Sequence, residues 1–405
     1  GQTVQNLTTD TPPAIYLFSN YIWSHHWNSE RSKDVKAANP HSLTIHGGPN
    51  TPKYDDDIQK FLHMNPSVDI AIHGEGEETF AHCLDVLQGC FDGDDAPDLS
   101  GLRDVPGLSF RLGDEIIHTG KRDRMSDLDV VPSPFQNGLF ERAGDDEIIL
   151  MTIETNRGCP YGCTYCDWGS ATLSRIRKFD LDRVLDEIEW CGRNKVKTIF
   201  GADANFGIFA RDVEIARKVV EVNKTYGYPK VFETSYAKNT VKHLQQIVEI
   251  LAGGGVISTG SISLQSVDAG TLDAIRRSNI RLDKYDELAV EFGKQDLPLV
   301  IELMMGLPGA TMDSFLGDIQ QAVDREVKAR VNPTEVLMNS PRNDPEYRAE
   351  HQIETLRPVN QDWSQPNETR RKALVVSSTS FSREEYDLME RYRQVFLLCE
   401  NFGVL

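Results

Sequence analysis

Long apolar runs are missing from this sequence. None approaches the ~18 to 20 residues that a membrane-crossing helix needs, so no membrane span is expected. Basic residues are in deficit as well: 43 Lys and Arg stand against 62 Asp and Glu, a formal charge of −19. So acidic a chain lacks the broad positive surface that nucleic acids require. Its short basic clusters, Arg175-Ile176-Arg177-Lys178 and Arg370-Arg371-Lys372, read as solvated faces or cofactor contacts. Cysteines number only 7, an odd count with no secretory leader, which points to a reducing, cytoplasmic setting without disulfides. The start, Gly1-Gln2-Thr3-Val4, has neither Met nor a charged-then-apolar leader and reads as a fragment or a processed chain.

Three of those cysteines stand together in Thr155-Asn-Arg-Gly-Cys159-Pro-Tyr-Gly-Cys163-Thr-Tyr165-Cys166-Asp-Trp168. Thiolates at this spacing can grip one compact inorganic cluster. Iron–sulfur clusters normally take four Cys ligands, so a group of three leaves one iron open to a small molecule. Cys83, Cys90, Cys191 and Cys399 are scattered without CxxC pairing, which weakens a zinc reading. Cys191 ends an amphipathic helix and reads as a buried thiol.

At 405 residues the chain has room for two cores. Apolar stretches at Ala14–Trp23, Ser42–His46 and Val68–Ile72 read as strands, alternating with helices near 28–39, 54–64 and 77–87. Two of the strands run into Gly-rich turns, Gly47-Gly48-Pro49-Asn50-Thr51 and His73-Gly74-Glu75-Gly76-Glu77. This alternation predicts a doubly wound parallel sheet over residues 1–100, with ligands bound beyond the carboxyl ends of the strands. Taken alone, the glycines are equally consistent with ordinary tight turns. A hairpin turning at Gly113-Asp114 and a proline-stiffened linker fill 101–145. From 146 to 340 six strand and helix units are expected, with strands at Glu147–Glu154, Thr198–Phe200, Val231–Thr234, Ile257–Leu264, Leu299–Leu303 and Glu335–Met338. Residues 341–405 form a mixed extension whose last helix starts at Ser382 with Glu385 three residues on.

The CxxxCxxC pattern, with Tyr165 just before the third Cys, resembles the radical S-adenosylmethionine superfamily. The resemblance implies a partial (β/α)6 barrel in which Cys159, Cys163 and Cys166 hold a 4Fe-4S cluster. The fourth iron is then chelated by the amino and carboxylate groups of S-adenosylmethionine. It also implies contacts to that cofactor from Tyr165, from Asp203 and Asn205 at the second strand end, and from Ser235 and Lys238 after the third. Gln265 and Ser266 follow after the fourth, and Gly306-Leu-Pro-Gly309 resembles the family's turn near the adenine.

The upstream order of strand, Gly-Gly-Pro, strand and Gly-Glu-Gly-Glu is similar to the cobalamin-binding, Rossmann-like domain of the cobalamin-dependent members. By that match Gly47, Gly48, Pro49, Asn50, Glu75, Gly76 and Glu77 contact cobalamin, and Asn20, Tyr21 and Trp23 lie near the corrin. No Asp-x-His-x-x-Gly occurs, so no lower cobalt ligand is assigned, and His25 and His26 read as helix-start residues. Only three strands precede the linker where complete domains of this type have about five. An incomplete domain is therefore expected.

The resemblance implies methylation of an unactivated carbon. One S-adenosylmethionine methylates cob(I)alamin, and a second yields the 5′-deoxyadenosyl radical that takes hydrogen from a small-molecule or peptide substrate. Electrons come from an external donor such as flavodoxin or ferredoxin. An oxidative cyclase or rearrangement enzyme with the same cofactors is the enzymatic alternative. An iron–sulfur electron carrier or sensor is the non-enzymatic one.

Overall fold

The structure is a computed structural model that describes residues 7, 12–88, 97–140, 146–168, 174–237, 242–258, 260–294, 299–357 and 373–404. It is an α/β fold. The first unit runs β1 (Ile15–Ser19), α1 (His25–Ala38), β2 (Leu43–Gly47), α2 (Asp55–Met64), β3 (Ile70–Ile72), α3 (Glu77–Val86), β4 (Leu108–Leu112) and β5 (Glu115–His118). Its sheet has the order β1-β2-β3-β4-β5, parallel across the first three strands and antiparallel beyond.

Two expectations are corrected here. Strand order never reverses, so the described sheet winds in one direction and is not doubly wound. The hairpin β4–β5, expected between the units, completes this sheet against β3. Both faces are nonetheless covered, because strand side chains alternate. Ile70 and Ile72 face Cys83 and Leu87 on the α3 side, while Ala71 faces Ile58, Phe61 and Leu62 of α2. Those three α2 residues fall at i, i+3 and i+4, one helical face, and Asp55, Asp56 and Asp57 complement the positive end of the helix.

The second unit runs β6 (Ile148–Ile153), β7 (Asn156–Arg157), β8 (Arg177–Lys178), α4 (Leu181–Arg193), β9 (Val196–Phe206), α5 (Arg211–Tyr226), β10 (Val231–Tyr236) and α6 (Lys242–Gly253). It continues through β11 (Gly260–Gln265), α7 (Ala269–Ala274), α8 (Leu282–Lys294), β12 (Leu299–Met305), α9 (Met312–Asp324) and β13 (Lys328–Pro333). Then come α10 (Pro345–Glu350), β14 (Glu354–Thr355), β15 (Val375–Ser377) and α11 (Arg383–Asn401). Strands β6, β9 and β10 form one parallel group and β11, β12 and β13 another. A parallel bridge between Val231 and Ile257 connects them.

The sixth strand lies earlier than expected. Lys328–Pro333 pairs with β12, whereas Glu335 only bridges Leu374. In Lys328-Ala-Arg-Val-Asn-Pro only Ala329 and Val331 are buried among the hydrophobic core, an alternation that polar neighbours disguise. The more apolar run after it serves packing between the units, since Met338 joins Ile58, Phe61 and Leu62. Ser382 caps α11 as expected: its hydroxyl accepts from Glu385 N at 3.2 Å and its N–H donates to Glu385 Oε2 at 2.7 Å.

Candidate functional site

The cysteine loop leaves the carboxyl end of β6 and returns at β8. Antiparallel pairing of Asn156 with Lys178 and Arg157 with Arg177 closes it at the base. Gly158 sits there at φ +122, where a Cβ would meet Arg175 O at 2.5 Å, so only glycine fits. Ser174 N donates to Cys159 O at 2.8 Å, Cys166 N to Cys163 O at 3.1 Å, and Thr164 N to Ile275 O at 3.1 Å. The backbone is thus fixed independently of any ligand. Cys159 and Cys163 are buried and Cys166 half-buried. Among the described residues no three His, Cys, Asp or Glu side chains converge as ligands of one metal ion. A four-iron cluster does not ask for that, since each thiolate binds a different iron.

Behind the loop, Asp203 accepts from Thr155 N at 2.8 Å, Asn156 N at 3.1 Å, Asn156 Nδ2 at 2.9 Å and the Thr155 hydroxyl. A carboxylate offers about four lone-pair sites, and all are taken. Asp203, expected at the amino group of the cofactor, orders the start of the loop. Burial pushes its carboxyl up to about 7 against those donors. Asn205 is the residue that faces the cysteines, donating Nδ2 to Cys159 Sγ at 3.3 Å. Its Oδ1 is buried without a partner among the described residues, an unused acceptor beside the cysteines.

Ser235 stands half-buried at the end of β10, where the register with β9 shifts. Lys238 lies outside the described residues. Gln265 adopts φ +67 at the end of β11, and the left-handed region is uncommon for a side-chain-bearing residue. The Ser266 hydroxyl accepts from Asp268 N at 3.1 Å. Tyr165 is half-buried, and its hydroxyl receives a hydrogen bond from Arg277.

Arg277 escaped the sequence reading. It is buried, with Nη1 at 3.9 Å from Cys163 Sγ, Nε donating to Asn279 Oδ1 at 2.6 Å and Nη2 to Ser263 O. No spacing separates it from the exposed Arg276 beside it.

The turns after β2 and β3 lie against this loop, where Lys53 pairs with Asp167 at 3.5 Å and Glu77 with Arg157 at 2.9 Å. Asn20 is wholly buried: Nδ2 lies 3.1 Å from both His46 Nδ1 and Thr51 Oγ1, and Oδ1 accepts from Asn28 at 2.9 Å. Asn20, expected near the corrin, has its side chain engaged in fixing the turn. His46 is buried between Asn20 and Ser32, and burial lowers its pKa to about 3.

Glu75 and Glu77, expected at cobalamin, each make an ion pair with the second unit. Glu75 pairs with Arg177 and accepts from Met125 N at 3.1 Å, and Glu77 pairs with Arg157 at 2.9 Å. Their carboxylates clamp the first unit to the base of the cysteine loop. Open at the strand ends remain Gly47, Gly48, Pro49, Asn50 and Gly76, with the exposed Tyr21 and Trp23 stacked at 4.8 Å. Gly48 adopts φ +90, and a Cβ there would meet Asn20 N and O at 2.9 Å. Asn339, from the second unit, donates to Pro49 O at 2.7 Å and Thr51 O at 2.8 Å and accepts from Lys53 N at 3.1 Å.

The similarities follow this geometry. Residues 153–322, starting just before the cysteine loop, match the Radical SAM superfamily. The cobalamin-dependent radical SAM methyltransferase TokK of Streptomyces tokunonensis is 35% identical over 352 residues, covering 85% of this chain and 50% of TokK. The chain belongs to the cobalamin-dependent radical S-adenosylmethionine family.

A further relative of this family member, the 2-(S-pantetheinyl)-carbapenam-3-carboxylate methyltransferase of Streptantibioticus cattleyicolor, is 33% identical over 387 residues. That covers 93% of this chain and 55% of the relative. The chain spans about half the length of the curated relatives it matches. Among solved structures, the radical S-adenosylmethionine methyltransferase TsrM of Kitasatospora setae, with tryptophan and aza-SAM bound, matches at a TM-score of 0.62. It covers 82% of this chain and 64% of TsrM at 14% identity, a likeness of fold. No helix among the described residues is long and apolar enough to cross a membrane.

Proposed function

We propose that this chain is the cofactor-bearing part of a C-methyltransferase acting on an unactivated carbon of a small molecule or peptide. The observation that carries the reading is the seam between the units. There Asn339 holds the Gly48 turn, while Glu75 and Glu77 hold Arg177 and Arg157 at the base of the cysteine loop. The seam supports the reading, because transfer of a group from one cofactor to a substrate activated by the other requires two cofactor sites edge to edge.

Residues 1–118 are read as the cobalamin unit, 146–333 as the partial (β/α)6 barrel and 341–405 as an extension over its mouth. Bound there, the cluster with S-adenosylmethionine supplies one-electron bond cleavage and cobalamin supplies a methyl carrier. Cys159, Cys163 and Cys166 hold the iron, and Asn205 Oδ1 accepts from the amino group of S-adenosylmethionine. Arg277, a buried cation beside Cys163, pairs with its carboxylate. Ser235, Gln265 and Ser266 line the remaining strand ends. Gly47, Gly48, Pro49, Asn50 and Gly76 admit cobalamin close to the backbone, and the Tyr21–Trp23 pair offers an aromatic face. A flavodoxin or ferredoxin as donor, and a cytoplasmic setting, belong to the same proposal, because the chemistry demands a low-potential electron and a reducing compartment.

Anaerobic purification with iron, sulfide and hydroxocobalamin tests the reading, comparing wild type with Cys163→Ala. The expected result is a four-iron signal and one cobalt per chain, with iron lost and cobalt kept in the variant. Iron without cobalt would remove the methyl-transfer assignment. Products decide the rest, since methylation yields S-adenosylhomocysteine alongside 5′-deoxyadenosine and oxidative cyclisation does not.

A further inference from the structure

Arg342 is a fully buried side chain, 0% exposed, and its Nε, Nη1 and Nη2 have no hydrogen-bond partner among the described residues. An isolated guanidinium in such surroundings is strongly unfavourable unless another charge compensates it. No ion pair among the described residues includes it, and the titratable groups that act on it are the neutral phenols of Tyr347 and Tyr165. Zero exposure also means that no water-sized space touches its nitrogens, so a ligand does not reach it directly. The compensating charge must act at range.

The position of the side chain says which charge that is. Arg342 N donates to Thr164 O at 2.8 Å, anchoring the link between Cys163 and Cys166. Its guanidinium lies 5.7 Å from the ring centre of Tyr165, whose hydroxyl is bonded to Arg277 beside Cys163. A buried cation thus stands directly behind the peptide that carries two of the three thiols. Three thiolates outweigh the two positive charges of an oxidised four-iron core by one, and reduction adds one more negative charge. In a low-dielectric interior a nearby cation favours the more negative state.

We propose that Arg342 is a positioning residue whose buried charge, acting across Tyr165, eases one-electron reduction of the cluster held by Cys159, Cys163 and Cys166. The inference rests on the proposed role of those cysteines. The electron comes from a low-potential one-electron protein donor, and in this step no bond forms or breaks: the donor is oxidised by one electron and the core reduced by one.

The test is an anaerobic redox titration of the reconstituted chain without S-adenosylmethionine, read by electron paramagnetic resonance. Wild type, Arg342→Met and Arg342→Lys are compared, with iron content measured for each. Arg342→Met keeps the bulk and removes the charge. It is expected to show at least a tenfold lower ratio of reduced to oxidised cluster at a fixed potential, a shift of 59 mV for a one-electron couple. Arg342→Lys is expected to stay within about twofold of wild type, as the charge is retained. A fully loaded Arg342→Met with the wild-type midpoint overturns the inference. If Arg342→Met fails to load while Arg342→Lys loads and titrates like wild type, the charge serves assembly of the cluster, and the inference, which concerns its reduction, falls. If both fail to load, the residue acts by shape and the inference falls. Wild type without iron would sink the cysteine reading and this inference with it.

Discussion

Glu75, at the end of the first sheet, and Arg177, on the strand that closes the cysteine loop, form a two-pronged ion pair whose side chains are only 12% and 11% exposed. Burial pushes the Glu75 carboxyl up, but the Arg177 guanidinium outweighs it and holds it below the usual carboxylate range. Glu75→Gln leaves Arg177 buried without its counter-charge, which costs about 3 kcal/mol. Urea unfolding is expected to show that loss at neutral pH. The difference from wild type should shrink as pH falls below the ordinary carboxylate range, because a depressed native pKa stabilises only above it. An unchanged midpoint would remove the clamp.

Asn339→Ala removes both donors to the Gly48 turn and the acceptor for Lys53 N. At about 1 kcal/mol for each hydrogen bond, roughly a tenfold or greater loss of hydroxocobalamin affinity is expected. Iron content should not change. Spectral titration with hydroxocobalamin reads the first and colorimetric iron the second, and equal loss of both would point to general unfolding.

Gly158→Ala places a Cβ 2.5 Å from Arg175 O in a backbone conformation at φ +122 that alanine avoids. The loop base must open, so iron binding is expected to fall at least tenfold while far-ultraviolet circular dichroism stays native. Full iron occupancy would show that the base can rearrange.

His46 is held neutral by burial, its pKa lowered from 6.5 to about 3. The unfolded chain takes up a proton below pH 6.5 and the folded chain does not. Stability from this group is therefore present above pH 6.5 and lost as pH falls toward 3, by about 1.4 kcal/mol per pH unit. His46→Gln is expected to flatten the melting-temperature profile between pH 6.5 and 5; an unchanged slope would assign the acid sensitivity elsewhere.

Local geometry was legible in the sequence. Local chemistry marks the cysteine loop, the Gly-rich turns at the ends of β2 and β3, and the Ser382 cap, because each depends on residues within a few positions of one another. The partners of Asp203 and Glu75 were not legible, for the opposite reason. Both are carboxylates at strand ends, and nothing in sequence tells whether such a group faces a ligand or a neighbouring loop. Asp203 is spent on Thr155 and Asn156, and Glu75 on Arg177, 102 positions away. The sixth strand was misplaced because Lys328-Ala-Arg-Val alternates only weakly in hydrophobicity, while the apolar run ending at Met338 is buried against another unit.

By itself the sequence determined what spacing encodes: three cysteines on one short loop, glycines where backbone must come close, and the alternation of strands with helices. Tertiary structure alone decided which side chains remain available there. Arg277 and Arg342 sit in unremarkable sequence, yet folding strips water from both and sets one beside Cys163 and the other behind Thr164 and Tyr165. Spacing fixes which atoms are neighbours along the chain, but desolvation and charge depend on neighbours in space.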